Sequence, residues 1–184
     1  KFNTLLFTLQ HLQQSKKQTK ETIMIKYKYP KSFWKIAEEI GNARNVLNTE
    51  LRKKNPRYDR GKKNKHVDTT GLLGELIAMD YLTNKNIDFD MEKLLSPYPT
   101  KSADFVFKNK RLDVKATIHF PKAHLLVNYE AHHKGKNVID KYWFIYIIDK
   151  ETAEFYFVDY NDLTKWENKV MGHTKAYYIK REQL

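Results

Sequence analysis

Three acidic residues and one lysine have the types and spacing to bind a divalent metal ion and activate water. They are Glu75, Asp104, Asp113 and Lys115. Carboxylate oxygens are the ligands that Mg²⁺ takes in proteins, and water bound to a metal ion loses its proton more readily than bulk water. A lysine beside the ion can orient or polarise the attacking water. If the four side chains converge, they suit the hydrolysis of a phosphodiester.

Two apolar runs on either side of a polar turn predict a β-hairpin that brings Asp104 and Asp113 together. The runs comprise residues 103–107 and 111–117. With a two-residue turn starting at position 108, Asp104 lies opposite Asp113, and with one starting at position 109 it lies opposite Lys115. Directly opposed side chains have Cβ atoms about 4.5–5.5 Å apart. Both registers put the three charged side chains on one face, whereas a three-residue turn would separate them.

Glu75 lies in a predicted helix, residues 69–82, that is apolar on most of its circumference. A carboxylate in such a helix is costly unless it is paired with a cation or bound to metal. Gly71, Gly74 and Ala78 flank it, so this side of the helix is expected to approach a sheet closely. Two interpretations stay open: Glu75 belongs with the hairpin acids, or it is a buried ion-pair partner of a lysine or arginine.

These residues resemble the PD-(D/E)xK nuclease superfamily, which includes many restriction endonucleases, junction resolvases and repair nucleases. The resemblance is carried by Glu75 on a helix, Asp104 at the entry of a strand and Asp113-Val114-Lys115 on the next strand. It implies a restriction-endonuclease-like α/β fold, a mixed β-sheet flanked by helices. It also implies that Asp104, Asp113 and the Val114 carbonyl bind Mg²⁺, with Mn²⁺ as a substitute. Glu75 would be a further metal ligand or hold water, and Lys115 would be the catalytic lysine.

The chain departs from the superfamily pattern at two points. Ala103 stands where the pattern often has proline, and no downstream Gln-x-x-x-Tyr motif is present. The missing motif makes the exonuclease branch less suitable and favours an endonuclease.

Other candidate groups are weaker. A second acid-x-Lys triplet, Glu167-Asn168-Lys169, lies in a polar segment, residues 162–169, that is predicted to be a solvated helix. His132 and His133 are adjacent, so their rings are expected on different faces, which favours structural roles over a shared metal site. His119 and His124 are isolated candidates of the same kind.

The composition favours a polyanionic partner. The 184 residues include 34 Lys and Arg against 22 Asp and Glu, a formal net charge of +12. DNA is the predicted partner, with RNA as an alternative. An anionic membrane surface would also attract this charge, but no apolar run reaches the roughly 18 residues of a spanning helix. The absence of cysteine excludes disulfides, zinc–thiolate sites and iron–sulfur clusters, and predicts a cytoplasmic location.

An amphipathic helix is predicted from Ser32 to Leu51, and a basic segment follows it up to residue 66. We expect this segment to contact backbone phosphates, although a solvated loop is the alternative. The predicted phosphate-contacting residues are Lys53, Lys54, Arg57, Arg60, Lys62, Lys63 and Lys65.

The domain prediction divides the chain into a helical, basic N-terminal region, residues 1–66, and a nuclease-like core, residues 67–184. Met24 is a candidate native start, and residues 1–12 lack a signal-peptide cleavage site. In the core, strands are predicted at residues 87–89, 142–148, 154–158 and 176–179, while residues 122–136 fit either state.

The sequence thus predicts a metal-dependent DNA endonuclease of the restriction-enzyme type. Alternatives are a structure-specific, junction-resolving nuclease and a nucleic-acid-binding module that does not cleave. A basic structural or assembly protein would be favoured if Glu75 and the hairpin acids lay on different surfaces. Cleavage of both strands of a duplex would suit a homodimer.

Overall fold

The computed structural model describes residues 24–54, 67–89, 103–107, 109–118, 124–134, 136, 138–171, 174–180 and 183. The segment before Met24 and residues 55–66 lie outside this part of the chain, and so do His119 and five of the predicted phosphate contacts, Arg57, Arg60, Lys62, Lys63 and Lys65.

The described residues form three α-helices, eight β-strands and one 3₁₀-helix. The helices are α1 (Phe33–Lys54), α2 (Val67–Asn84) and α3 (Tyr129–Lys134). The strands are β1 (Ile25–Lys28), β2 (Phe105–Phe107), β3 (Lys110–Thr117), β4 (His124–Asn128), β5 (Lys141–Ile147), β6 (Thr152–Asp159), β7 (Glu167–Met171) and β8 (Thr174–Lys180). The 3₁₀-helix is Asp162–Lys165.

The strands form two sheets. The five-stranded sheet has the order β1-β6-β5-β3-β2, and the three-stranded sheet has the order β4-β8-β7. In the larger sheet β3 and β5 are parallel, while the other neighbours are antiparallel. The predicted α/β class with a mixed sheet is therefore confirmed.

The central strand β5 is buried on both faces because each face of the five-stranded sheet is covered. Trp143 and Ile145 pack towards α1 and α2. Tyr142 and Phe144 pack on the opposite face, against β4, β8 and Leu163 of the 3₁₀-helix. Among the described residues, long helices cover only the first of these faces, whereas the prediction had helices flanking the sheet. Residues 122–136, whose pattern fitted either helix or strand, contain both β4 and α3.

Both predicted long helices are confirmed, and two smaller predictions are wrong. Residues 87–89 form no strand. They follow Asn86, whose φ is 51°, and Phe89 packs on Phe105 with ring centroids 5.5 Å apart. The predicted helix at residues 162–169 is a short 3₁₀-helix followed by β7, because pairing with β8 converts the polar triplet into strand.

The hairpin adopts the first of the two predicted registers. Phe105 pairs with Leu112 and Phe107 with Lys110. The pairing ends there, because the Asp104 N–H donates to Leu112 O and Asp104 is not paired with Asp113. Asn109 has a φ of 59°, a left-handed conformation that asparagine tolerates better than most residues.

The N-terminal elements share the core of the later chain. β1 pairs with β6 at the edge of the larger sheet, and Ala37 of α1 is fully buried in the cluster beneath α2. α1 crosses α2 closely at Gly41, where an added Cβ would come within 2.7 Å of Thr69 Oγ1. Among the described residues, no helix is both long and apolar enough to cross a membrane.

α2 packs closely on β3, and a single glycine permits the contact. A Cβ added at Gly74 would overlap the Cβ of Ala116 and come within 3.4 Å of Val114 Cγ1. The expected close approach is therefore confirmed at Gly74. Gly71 takes no part in it, because an added Cβ there meets no atom within 4 Å.

We expect Gly74→Ala to destabilise the protein by about 1–3 kcal/mol, because the new methyl group must push α2 away from β3. Gly71→Ala is the matched control and should be neutral or stabilise the protein by roughly 0.5–1 kcal/mol, since alanine favours helix over glycine. Urea unfolding of both variants measures the difference. Equal stabilities would contradict the close contact.

Candidate active site

The candidate site lies at the edge of β3, beyond the end of β2. Among the described residues, β2 pairs only with residues 110–112 of β3, whereas β5 pairs with residues 112–117. From Asp113 onwards, β3 therefore has a strand partner on one side only. Backbone groups at such an edge need other hydrogen-bond partners.

Asp104 supplies one of these partners. Its backbone N–H donates to Leu112 O at 2.9 Å. Its carboxylate oxygen Oδ2 accepts a hydrogen bond from the Val114 N–H at 2.7 Å. The side chain thus takes the place of a neighbouring strand and is held at the edge of β3.

Asp113 and Lys115 are two residues apart on β3, so their side chains lie on the same face of the strand. Lys115 Nζ forms an ion pair with Asp113 Oδ2, and the side chains are 38% and 16% exposed, respectively. The charge at the site is therefore only partly shielded by water.

Glu75 approaches the same edge from α2, directly after Gly74. Both of its oxygens accept hydrogen bonds from Arg44 of α1, at 3.3 Å from Nη1 and 3.2 Å from Nη2. The two side chains are 14% and 17% exposed. The predicted ion pair of Glu75 with a lysine or arginine is therefore confirmed, and the partner is Arg44.

Glu75 also belongs electrostatically to the hairpin cluster. Burial raises its pKa above the ordinary value, while Arg44 and, less strongly, Lys115 oppose this rise and Asp113 adds to it. The two interpretations left open by the sequence are thus compatible. Arg44 was missed because no local pattern links it to a residue 31 positions away.

Asp104 carries the largest carboxylate shift at the site. Burial, followed by repulsion from Asp113, raises its pKa to about 7, although Lys115 and the Val114 N–H favour the ionised form. A carboxylate with this pKa gains or loses a proton near neutral pH. Such perturbation is common at functional sites, where burial and like charges are brought together for binding or catalysis.

Lys115 keeps its proton in this environment. Burial acts to lower its pKa, but Asp113, Asp104 and Glu75 together outweigh burial and raise it. The lysine is therefore a stable cation beside the carboxylates, suited to attract an anion or hold a water molecule.

The donor set fits a hard divalent cation. Asp104, Asp113 and Glu75 supply oxygen ligands, and a cation would relieve the repulsion that raises the Asp104 pKa. In the described part of the chain, no group of three acidic or histidine side chains is already arranged as a metal cage. Lys115 must therefore leave Asp113 Oδ2 before an ion can use that oxygen.

The second acid-x-Lys triplet lies apart from this cluster. Glu167 and Lys169 are exposed on β7, where Lys169 Nζ lies 5.1 Å from the centre of the Tyr178 ring. Neither residue is among the groups that shift the pKa values of Glu75, Asp104 and Lys115. Lys53 and Lys54 are the last residues of α1, and the positions of their side chains lie outside the described part of the structure.

The adjacent histidines have the packing expected of structural residues. His132 is 1% exposed, its Nδ1 lies 3.0 Å from the Tyr142 hydroxyl, and its ring stacks on Tyr160. Burial, with a contribution from His133, lowers the His132 pKa. His124 is exposed at the start of β4, with its ring 4.8 Å from that of Tyr178.

No protein-family model matches the chain, and no curated protein is significantly similar to it. The site is therefore interpreted from its own geometry and charges.

Without added metal, Asp104→Asn should stabilise the protein at pH 8, by on the order of 2 kcal/mol. A raised carboxylate pKa costs folding energy that is fully present above the folded value of about 7 and disappears as the pH falls towards the ordinary value. The gain in urea-unfolding free energy should shrink from pH 8 to pH 5.

Asp140→Asn is the control with the opposite sign. Hydrogen bonds from Arg111 lower the Asp140 pKa to about 2, so the ionised form stabilises the fold and its removal should destabilise it at pH 8. If both variants lose stability there, the assigned cost of Asp104 is contradicted.

Proposed function

We propose that this chain is a Mg²⁺-dependent endonuclease that hydrolyses phosphodiester bonds in DNA. The observation that supports this most strongly is the cluster at the edge of β3 that has no strand partner among the described residues, where Glu75, Asp104 and Asp113 interact electrostatically with Lys115. Burial and the neighbouring Asp113 raise the pKa values of Glu75 and Asp104, and raised carboxylate pKa values cost folding energy when the groups are ionised. A requirement to bind cations and phosphate accounts for that cost.

The arrangement of elements supports a restriction-endonuclease-like fold of the PD-(D/E)xK superfamily. α2 carries Glu75 and packs on the strand that carries Asp113 and Lys115. The antiparallel β2–β3 hairpin is joined by the parallel strand β5. These are the relations that the resemblance implies for the four residues.

Each residue has a distinct role in the proposed reaction. Asp104 and Asp113 would hold Mg²⁺ together with the Val114 carbonyl, which points to the same edge as the Val114 N–H because both groups of one strand residue face one side. The bound ion supplies Lewis-acid activation and charge neutralisation. Lys115 orients the attacking water, and Glu75 holds that water or a further ligand position.

The substrate follows from charge. A formal net charge of +12 favours a polyanion, and the basic segment that follows α1 would contact backbone phosphates. We propose DNA as the substrate and RNA as the alternative to be tested. A homodimer would place two sites on the two strands of a duplex, and the cysteine-free composition suits a cytoplasmic enzyme.

With Mg²⁺ or Mn²⁺, we expect the native chain to cut supercoiled plasmid, and Asp113→Ala and Lys115→Ala to lose activity by roughly 100-fold or more, a typical effect for groups that act on the reacting water. Gel analysis of nicked and linear products gives the rates. Branched DNA and single-stranded RNA in the same assay distinguish a restriction-type, a junction-resolving and an RNA-cleaving enzyme.

Glu167→Ala and Lys169→Ala are matched controls, because they change the second acid-x-Lys triplet on exposed β7 and should leave the rate within about twofold. Tight DNA binding by the native chain without cutting under either metal would instead favour a non-cleaving binding module.

Metal binding should depend on pH through Asp104. A divalent ion requires the ionised carboxylate, so affinity should rise up to about tenfold per pH unit below 7 and level off above it. Calorimetric titration with Mn²⁺ in buffers of different ionisation enthalpy should detect about one proton released at pH 6 and almost none at pH 8. An affinity independent of pH between 6 and 8 would exclude Asp104 as a ligand.

A further inference from the structure

Arg44 is the cation at the site that the hairpin does not supply. It lies on α1, one helical turn after Gly41, where α1 packs against Thr69 of α2. Its side chain is 14% exposed, and its guanidinium forms an ion pair with Glu75. The partner of Glu75 is thus delivered by the helix that leads directly into the basic segment.

The Arg44–Glu75 pair is longer than another arginine–carboxylate pair in this chain. Its two N–O distances are 3.3 and 3.2 Å. The Arg111–Asp140 pair has two side-chain contacts of 2.9 Å, and Asp140 also accepts the Arg111 backbone N–H at 2.8 Å. Strong charge-assisted bonds of this type measure about 2.7–2.9 Å. The bonds between Arg44 and Glu75 are therefore the longer ones, which suits a pair that separates when another anion approaches.

The formal charges at the site favour binding of a phosphate once a divalent ion is present. Among the described residues, three carboxylates and two cations, Lys115 and Arg44, affect one another's charge here, a formal sum of −1 when all five are ionised. A divalent ion changes this to +1, which one phosphodiester anion neutralises. Arginine recognises phosphate through the same paired donors that it uses for a carboxylate.

We propose that Arg44 is a phosphate-responsive positioning residue, which pairs with Glu75 before substrate binds and moves to a backbone phosphate of the nucleic acid when it arrives, thereby releasing Glu75 to the metal site. This inference rests on the proposed function. It makes completion of the site depend on the presence of substrate.

Such an exchange couples nucleic-acid binding to metal binding. Substrate that removes Arg44 from Glu75 strengthens metal binding, and by thermodynamic reciprocity the metal strengthens substrate binding by the same factor. A purely structural ion pair, which only neutralises Glu75, would leave this factor unchanged when Arg44 is replaced.

The test measures the affinity for a short duplex oligonucleotide by fluorescence anisotropy, in EDTA and with Ca²⁺, which binds oxygen ligands as Mg²⁺ does. For the native chain, Ca²⁺ should tighten binding by about tenfold, within the usual range of coupling between two sites. Arg44→Gln should reduce this factor to about twofold or less. Arg111→Gln removes the same charge from the tighter pair and should keep the native factor.

Glu75→Gln keeps the test decisive if Arg44→Gln folds poorly. It removes the carboxylate that pairs with Arg44, so binding in EDTA should become about tenfold tighter, and adding Arg44→Gln should reverse the gain. The proposal is overturned if Arg44→Gln and Arg111→Gln reduce the factor equally, or if Glu75→Gln leaves metal-free affinity unchanged.

The two proposals fail differently. If the native chain shows Arg44-dependent coupling but cuts nothing with Mg²⁺ or Mn²⁺, the proposed exchange is supported and the proposed nuclease activity is rejected. If the chain cuts DNA while Arg44→Gln keeps the native coupling, the nuclease activity is supported and the exchange is rejected.

Discussion

The contact between α2 and β3 at Gly74 is the constraint on which the candidate site depends. A side chain at this position would overlap Ala116, so only glycine lets the helix lie directly on the strand. Because Glu75 is the next residue, the contact that closes the hydrophobic core also brings a carboxylate to the edge of β3. The core on this face is well filled, since Leu72, Leu73, Ile77 and Trp143 are fully buried. Rigid packing of this kind holds the helix in place against the electrostatic cost of the acid that it carries.

The chain contains two contrasting ways of handling buried or half-buried charge. Arg111 and Asp140 form a short, multiply bonded pair that lowers the Asp140 pKa to about 2, so this pair stabilises the ionised state of the fold. At the edge of β3 the balance is reversed, because burial and mutual repulsion raise the pKa of both Glu75 and Asp104. Functional sites often sacrifice stability in this way, and the surrounding structure compensates for it. The proposed nuclease activity explains why the chain retains a destabilising cluster of acids. The proposed exchange of Arg44 between Glu75 and phosphate would make that cluster sensitive to substrate.

Features that depend on interactions between residues close in the sequence were predicted, and features that depend on contacts between distant residues were not. Helical periodicity predicted α1 and α2, and an apolar run of strand length predicted β5, because these patterns arise within a single element. The helix predicted at residues 162–169 was wrong because residues 167–171 pair with β8, and a polar segment can be drawn into a sheet by a partner that local propensity does not reveal. Of the three-stranded sheet, the strand predicted at residues 176–179 is confirmed as β8. Its partners β4 and β7 were not predicted, although Leu125 and Val127 of β4 bury one face of the larger sheet.

The sequence by itself determined that Glu75 sits in a buried helix and that Asp113 and Lys115 share one face of a strand, because helix and strand periods depend only on spacing along the chain. It left the turn length of the hairpin open, because two registers keep the charged side chains on one face and a three-residue turn would separate them. The register, with Phe105 opposite Leu112, was decided in the folded chain. Tertiary structure likewise decided that Asp104 caps the Val114 N–H where β2 ends. The ion pair between Glu75 and Arg44 forms only because α1 packs against α2, and no pattern within either helix predicts that packing.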